Sequence, residues 1–278
     1  MAENLPNEEL VWIAAAVLAS LGAQGKTTAA EACTHALRLN GHDVKVFSAD
    51  VQRKLKRKLG GCVEELNIDL LEETEDDPLA LLRAFSKFAM AIGEGPQDRP
   101  SVVLDTAATW DKTTIRYLHD LEFDRRVTEA GGTPIIVLVT TSNTDAIKSM
   151  LELTRQVQKA LPLARVVWIL NERHDPVFAN PDYAELGFDA AAIQQLRSTV
   201  TEVKFRKMDE RLWTPVDRAG MSMMKFVDTD ASALVKFWPS QQGKVLDPSS
   251  AAIVKRDISN WIGELLEAAS VALGFRQP

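Results

Sequence analysis

Apolar residues in this chain fall into two kinds of run. Short unbroken stretches rich in β-branched residues alternate with longer ones in which apolar positions recur every three or four residues. The first pattern predicts strands buried on both faces, the second helices with one buried stripe. Val11–Ala19, Val44–Phe47, Ser101–Leu104, Pro134–Val139 and Arg165–Leu170 are of the first kind. Thr27–Leu39, Pro78–Ile92, Asp145–Leu161 and Ser249–Gly274 are of the second. Asn40-Gly41 is a helix stop, Gly93-Glu94-Gly95-Pro96 is a breaker, and Asn143 or Thr144 can cap the helix that follows.

Strand and helix in alternation predict an α/β fold: a mostly parallel sheet with helices on both faces. Leu5–Ile169 reads as one continuous unit. Beyond Asn171 the pattern is less regular, with an excursion over Phe178–Ala192. Residues 1–278 are expected to form a single domain, closed by the helix at about 249–274.

Charge and cysteine content narrow the function. A net charge of −7 argues against a generally basic nucleic-acid coat protein, though not against a local basic patch. The longest apolar run, Leu10–Ala19, has ten residues, and a spanning helix needs about 20. Glu3, Glu8 and Glu9 precede it, which suits no signal peptide. Two cysteines, Cys33 and Cys62, and four dispersed histidines make neither a disulfide framework nor a metal box. A cytoplasmic protein is expected.

The chemistry is concentrated where the first strand meets the first helix. Val17-Leu-Ala-Ser-Leu-Gly-Ala-Gln-Gly-Lys-Thr-Thr28 has the form of a phosphate-cradling loop. Lys26 would reach the β- and γ-phosphates and the Thr27 hydroxyl would bind Mg²⁺. Gly22 and Gly25 would allow close backbone approach or a positive φ. The pattern G-x-x-x-x-G-K-[ST] wants glycine at position 20, where this chain has Ser20. The alternative is a helix that merely begins Gly-Lys-Thr-Thr, and the strand–loop–helix context argues against it. Asp105, after Val102-Val103-Leu104, is the acid that would organise Mg²⁺, and Asp50 closes Val44–Asp50 at the next strand end. Successive strand ends form the ligand crevice of such sheets.

These residues resemble the ParA/MinD group of P-loop ATPases. Their deviant loop, Lys-Gly-Gly-x-Gly-Lys-[Thr/Ser], is matched by Leu21-Gly22-Ala23-Gln24-Gly25-Lys26-Thr27-Thr28, with Leu21 for the signature lysine and Ala23 for the second glycine. Their Asp-x-Asp-x-Gln motif is matched by Ser48-Ala49-Asp50-Val51-Gln52. The resemblance covers roughly residues 9–230 and implies ATP or ADP with Mg²⁺ as cofactors. It implies that Asp50 orients the attacking water, that Asp105 is the Walker B acid, and that Asn171, with Arg173 close behind, contacts adenine. Val203-Lys204-Phe205-Arg206 and Gly220-Met221-Ser222 resemble the family's late strand and following loop. It further implies a nucleotide-dependent homodimer and an adaptor of ParB-like or cargo type, in partitioning, positioning or conjugative transfer of DNA. Leu21 cannot make the charge-assisted contact of the lysine it replaces, so either another cation takes its place, with Lys45, Arg53 and Lys54 as candidates, or the dimer differs, or hydrolysis is slow.

Two rival readings keep the loop. One is a P-loop small-molecule kinase or ATP-dependent ligase, with an acceptor pocket near Asp50 and Asp105. The other is a nucleotide-binding pseudo-ATPase module, suggested by Ser20, Leu21 and Ser48. The basic run Arg53, Lys54, Lys56, Arg57 and Lys58 is either a DNA contact or a solvated face balanced by Glu64, Glu65, Glu72, Glu73, Glu75, Asp76 and Asp77. The stripe Val254, Ile258, Trp261, Ile262, Leu265, Leu266, Ala269 and Leu273 predicts core packing for the last helix, since its polar face mixes acids with bases where a membrane-surface helix would be mainly basic. Trp110, Asp111 and Lys112 follow the Asp105 strand, either as a sensor of nucleotide state or as plain loop, and Trp213 is a candidate partner contact.

Overall fold

The computed structural model describes residues 11–19, 21–50, 52–66, 83–93, 100–107, 110–179, 186–238 and 247–275. Ser20, Val51, the acids Glu72–Asp77, the first five residues of Pro78–Ile92, the breaker after Gly93 and part of the Phe178–Ala192 excursion lie outside them.

Among the described residues seven strands form one sheet: β1 (Ile13–Leu18), β2 (Val44–Ser48), β3 (Val63–Glu65), β4 (Ser101–Asp105), β5 (Thr133–Thr140), β6 (Arg165–Asn171) and β7 (Thr201–Phe205). Their order is β3-β2-β4-β1-β5-β6-β7, and every neighbouring pair is parallel. Parallel neighbours need crossovers, and helices supply them on both faces. One core holds Ala14, Ala16, Leu18, Leu104, Ile136, Leu138 and Trp168; the other holds Ile13, Ala15, Val17, Val103, Ile135, Val137 and Ile169. Successive side chains of a strand point to opposite faces, so an unbroken apolar strand feeds both cores.

The helices are α1 (Lys26–Leu39), α2 (Lys54–Leu59), α3 (Ser86–Gly93), α4 (Asp111–Asp120), α5 (Phe123–Glu129), α6 (Thr144–Ala160), α7 (Ala190–Arg197), α8 (Glu210–Arg218), α9 (Met223–Asp228), α10 (Ala231–Leu234) and α11 (Pro248–Leu273). Asn143 caps α6 by accepting from the Ala146 N–H at 3.1 Å. Ile258, Ile262, Leu265, Ala269 and Leu273 of α11 are buried in the same core as Ala29, Ala32, Cys33 and Ala36 of α1. The last helix is therefore core, as its stripe predicts, and Gly274 ends it in the left-handed conformation.

The short elements β3, α4, α5 and α8 to α10 are additions to the sequence expectation. Each is too short for a periodic signal to stand out, and α8 carries Pro215 inside it.

Candidate phosphate-binding site

The pairings Val17 with Asp105 and Ser48 with Asp105 align three strand ends at one place. The chain leaving β1 turns over this point and enters α1. Gly25, the N-cap, has φ +98, and a Cβ there would meet Asn171 Nδ2 at 2.6 Å. It offers α1 no side-chain cap, and the first turn holds no acid. The opening N–H groups and the positive end of the helix dipole therefore have no side-chain acceptor, the condition an anion satisfies.

Gly22 has open space around it and no positive φ; the left-handed turn falls one residue later, at Ala23, with φ 60. An alanine, without a glycine's freedom, thus holds the left-handed backbone of this turn. Gln24 is buried, its Nε2 has no hydrogen-bond partner, and its carbonyl accepts from Asn171 Nδ2 at 2.8 Å. Asn171, the last residue of β6, thereby ties the loop to the sheet.

Lys26 is buried and its Nζ donates to the Ala19 carbonyl at 3.1 Å. Burial lowers its pKa, opposed by the charges of Asp111, Asp105 and Asp50. Thr27 Oγ1 donates to Asp105 Oδ2 at 3.3 Å. Asp105 is fully buried and its Oδ1 has no partner. Its carboxyl is pushed up to about 7, first by burial and then by the charge of Asp50. Asp50 is half-buried, and its Oδ1 accepts from the Gln52 N–H at 3.1 Å.

Sequence reasoning left Asp111 as an undecided residue after the Asp105 strand. It is the first residue of α4, is 2% exposed, and accepts from the Ala19 N–H at 3.1 Å through Oδ1. Burial pushes its carboxyl up to about 6. The only local signal was an acid six positions after Asp105, at the start of a short amphipathic segment.

These residues fit a Mg²⁺–nucleotide. An uncapped helix start and a spare Gln24 amide suit phosphate oxygens, and a threonine hydroxyl beside a carboxylate with a spare oxygen suits a cation that keeps several waters. Among the described residues no group of three or more His, Cys, Asp or Glu could hold a metal by itself.

Beside the loop opens a pocket of about 160 Å³ whose lining includes Gly25, Thr28, Asn171, Arg173, Phe205 and Trp213, together with Glu210, Asp217 and Trp261. Arg173 is ion-paired with Glu210 in its wall. Trp213 and Trp261 lie 5.2 Å apart by ring centroid. Thus Thr28, Asn171 and Arg173 come together with the phosphate loop.

The basic run divides. Lys58 is 4% exposed at its side chain and pairs with Glu31 at 2.8 Å and Asp217 at 2.6 Å, which raises its pKa against the cost of burial. Its inclusion in a DNA-contacting surface is corrected here: the ammonium is committed to two carboxylates inside the protein. Lys56 donates to the Val63 carbonyl at 2.6 Å, and Arg53 pairs with Glu65 at 3.0 Å. Arg53, Lys54 and Arg57 stay exposed. Leu21 is 39% exposed. Among the described residues no helix is long and apolar enough to cross a membrane.

Neither a family model nor a curated protein matches the chain at a significant level. Several solved structures are similar to it. In a MinC:MinD cell division protein complex from Aquifex aeolicus the similar chain is 12% identical, with 89% of this chain and 96% of that one covered and a TM-score of 0.47. A ParA family ATPase from Chlorobium tepidum is 12% identical over 91% and 98% of the two chains, with a TM-score of 0.48. The septum site-determining protein MinD with Mg-ADP from Pyrococcus horikoshii is 16% identical over 96% and 98%, with a TM-score of 0.41.

Proposed function

We propose that this protein is a cytoplasmic Mg²⁺–ATP-dependent switch ATPase of ParA/MinD type, acting with an adaptor in the partitioning, positioning or conjugative transfer of DNA. The observation that carries the nucleotide reading is the Thr27–Asp105 pair beneath the uncapped start of α1. The motif resemblance carries the rest.

Lys26 leaves the Ala19 carbonyl to neutralise the β- and γ-phosphate oxygens, the charge-assisted contact a phosphate loop is built for. The first N–H groups of α1 and the Gln24 amide orient the same oxygens. Thr27 and Asp105 would hold Mg²⁺, which when bound would supply charge neutralisation for the phosphoryl group. Asp50 stands at the neighbouring strand end, where it positions the attacking water. Asn171, with Arg173 alongside, borders the base pocket. ATP-dependent dimerisation switches partner affinity, and hydrolysis resets it.

The exposed Leu21 favours a second reading, a nucleotide-binding module without turnover, because the cation expected to cross a dimer interface is missing. One experiment separates them. Titration calorimetry with Mg-ATP, followed by phosphate release over hours, is run on the wild type and Lys26→Ala. Binding with slow release, both lost in the variant, supports the switch ATPase. Binding without release supports the module. No binding at all overturns the nucleotide reading, and ADP formed without phosphate release, only when a small-molecule acceptor is added, points to the kinase.

A further inference from the structure

We propose that Asp111 is the counter-ion of Lys26 in the empty phosphate loop, and that an arriving polyphosphate must displace it, so that this carboxylate sets how tightly the site holds nucleotide. The inference rests on the phosphate-loop reading above and concerns a residue which that reading does not use.

Ala19, the last described residue before the loop, is engaged on both sides. Its N–H donates to Asp111 Oδ1 at 3.1 Å, and its carbonyl accepts from Lys26 Nζ at 3.1 Å. The two opposite charges therefore bracket one residue. Asp111 is 2% exposed and its Oδ2 is buried without a hydrogen-bond partner. Besides one backbone amide, the charge of Lys26 and the N-terminal end of the ten-residue α4 offset its burial. Of the acids around Lys26, Asp111 acts on it most strongly, ahead of Asp105 and Asp50, with Lys54 the opposing cation.

The acids differ in what nucleotide does to them. Asp105 shares a hydrogen bond with Thr27, so a bound cation there compensates its charge. Asp111 hydrogen-bonds on the Ala19 side of the loop and gains no such partner. When Lys26 turns to the phosphates, Asp111 loses its counter-ion while a polyanion is added on the far side of Lys26, and its burial leaves little solvent to screen the two. The carboxylate therefore stabilises the empty loop and weakens the loaded one. Asp111 is a positioning residue, acting on nucleotide through Lys26 and Ala19.

The test is Asp111→Asn, which keeps an oxygen for the Ala19 N–H and removes the charge. Mg-ADP affinity is measured by calorimetry, and the reactivity of Lys26 in the nucleotide-free protein by competitive acylation read by mass spectrometry. The thermal midpoint of the variant confirms that it folds. The expected results are Mg-ADP binding about tenfold tighter, the scale of one nearby unit charge at protein-like dielectric, and faster acylation of Lys26, whose ammonium has lost a stabilising neighbour. Unchanged or weaker binding in a folded variant overturns the displacement, and unchanged Lys26 reactivity overturns the counter-ion pair. Absence of Mg-ADP binding in both proteins together with faster acylation would sink the phosphate-loop reading and the displacement, but leave the pair standing. If Asp111→Asn does not fold, Asp111→Ser, which keeps a hydroxyl acceptor, is put through the same two measurements.

Discussion

At the residue scale the site is a cluster of charges stabilised only as a set. Lys26 is buried among Asp50, Asp105 and Asp111, and the two most buried acids hold their protons well above the usual carboxylate range. This has a consequence for stability. Asp105 keeps a proton up to about pH 7 in the folded protein, against 3.8 ordinarily. Between those values the folded state binds more protons than the unfolded one, so stability falls as pH rises through the window. By pH 8 the loss is about 4 kcal/mol, and Asp105→Asn should remove it. His35 acts in the opposite sense: burial, with Arg38 and Lys58, holds it down to about 4, so stability falls as pH drops from 6.5 toward that value. The readout is therefore the difference between wild type and variant in urea unfolding of the nucleotide-free protein from pH 4.5 to 8. A difference that stays constant across the range would mean that Asp105 does not carry this proton. Lys26, Thr27, Asp50 and Asp105 were legible in the sequence because each lies in a local motif or at the end of a strand-like run. Asp111 was not, because its meaning depends on meeting Ala19, ninety-two positions away.

At the scale of elements the long parallel strands and the long helices were legible, and for one reason. An apolar run such as Ile135–Val139 buries every side chain, and a stripe such as Ile258–Leu273 has a period the eye can follow. β3, with three residues, and α10, with four, carry no comparable pattern. The basic run misled because charge spacing says nothing of where an ammonium ends up. Lys58 bridges α2 to Glu31 on α1 and to Asp217 on α8, lies 5.7 Å from the Trp213 ring centroid, and sits beside a Glu31 that also accepts from the Met223 N–H at 2.6 Å. Removing it leaves Glu31, which is fully buried, without its cation. Lys58→Met should therefore cost about 3–5 kcal/mol, as the breaking of a buried pair does. Exposed Lys54→Met should stay within about 0.5 kcal/mol. Denaturant midpoints of the two variants measure this directly, and equal midpoints would return Lys58 to the surface face that its spacing suggested.

At the scale of the whole molecule the proposed nucleotide site lies at the carboxyl ends of β1, β2 and β4, and the basic side chains that remain exposed lie close by in the chain. Asp50 lies two residues beyond the end of β2, and Arg53 and Lys54 come three and four residues after it, so a change at the phosphates has a short covalent route to that surface. Leu21 is on the outside of the same loop, where an apolar side chain gains by being covered rather than by crossing to a partner's phosphates. A dimer formed on this face would have to bring its own contacts and not borrow the missing lysine. The expected outcome is nevertheless a doubling of mass in light scattering with Mg-ATP, none with Mg-ADP or without nucleotide, and none for Lys26→Ala. The physical ground is that Mg²⁺ offsets the charge of half-buried Asp50, which otherwise stands close to the face each copy would present. Raising the salt should weaken the dimer less than it weakens any retention on DNA through Arg53, Lys54 and Arg57, because apolar cover is not screened and phosphate contacts are. A mass that stays monomeric while ATP is bound would separate nucleotide binding from assembly in this chain, and would place the loss at Leu21; Leu21→Lys, restoring the doubling, would then identify that one side chain as its cause.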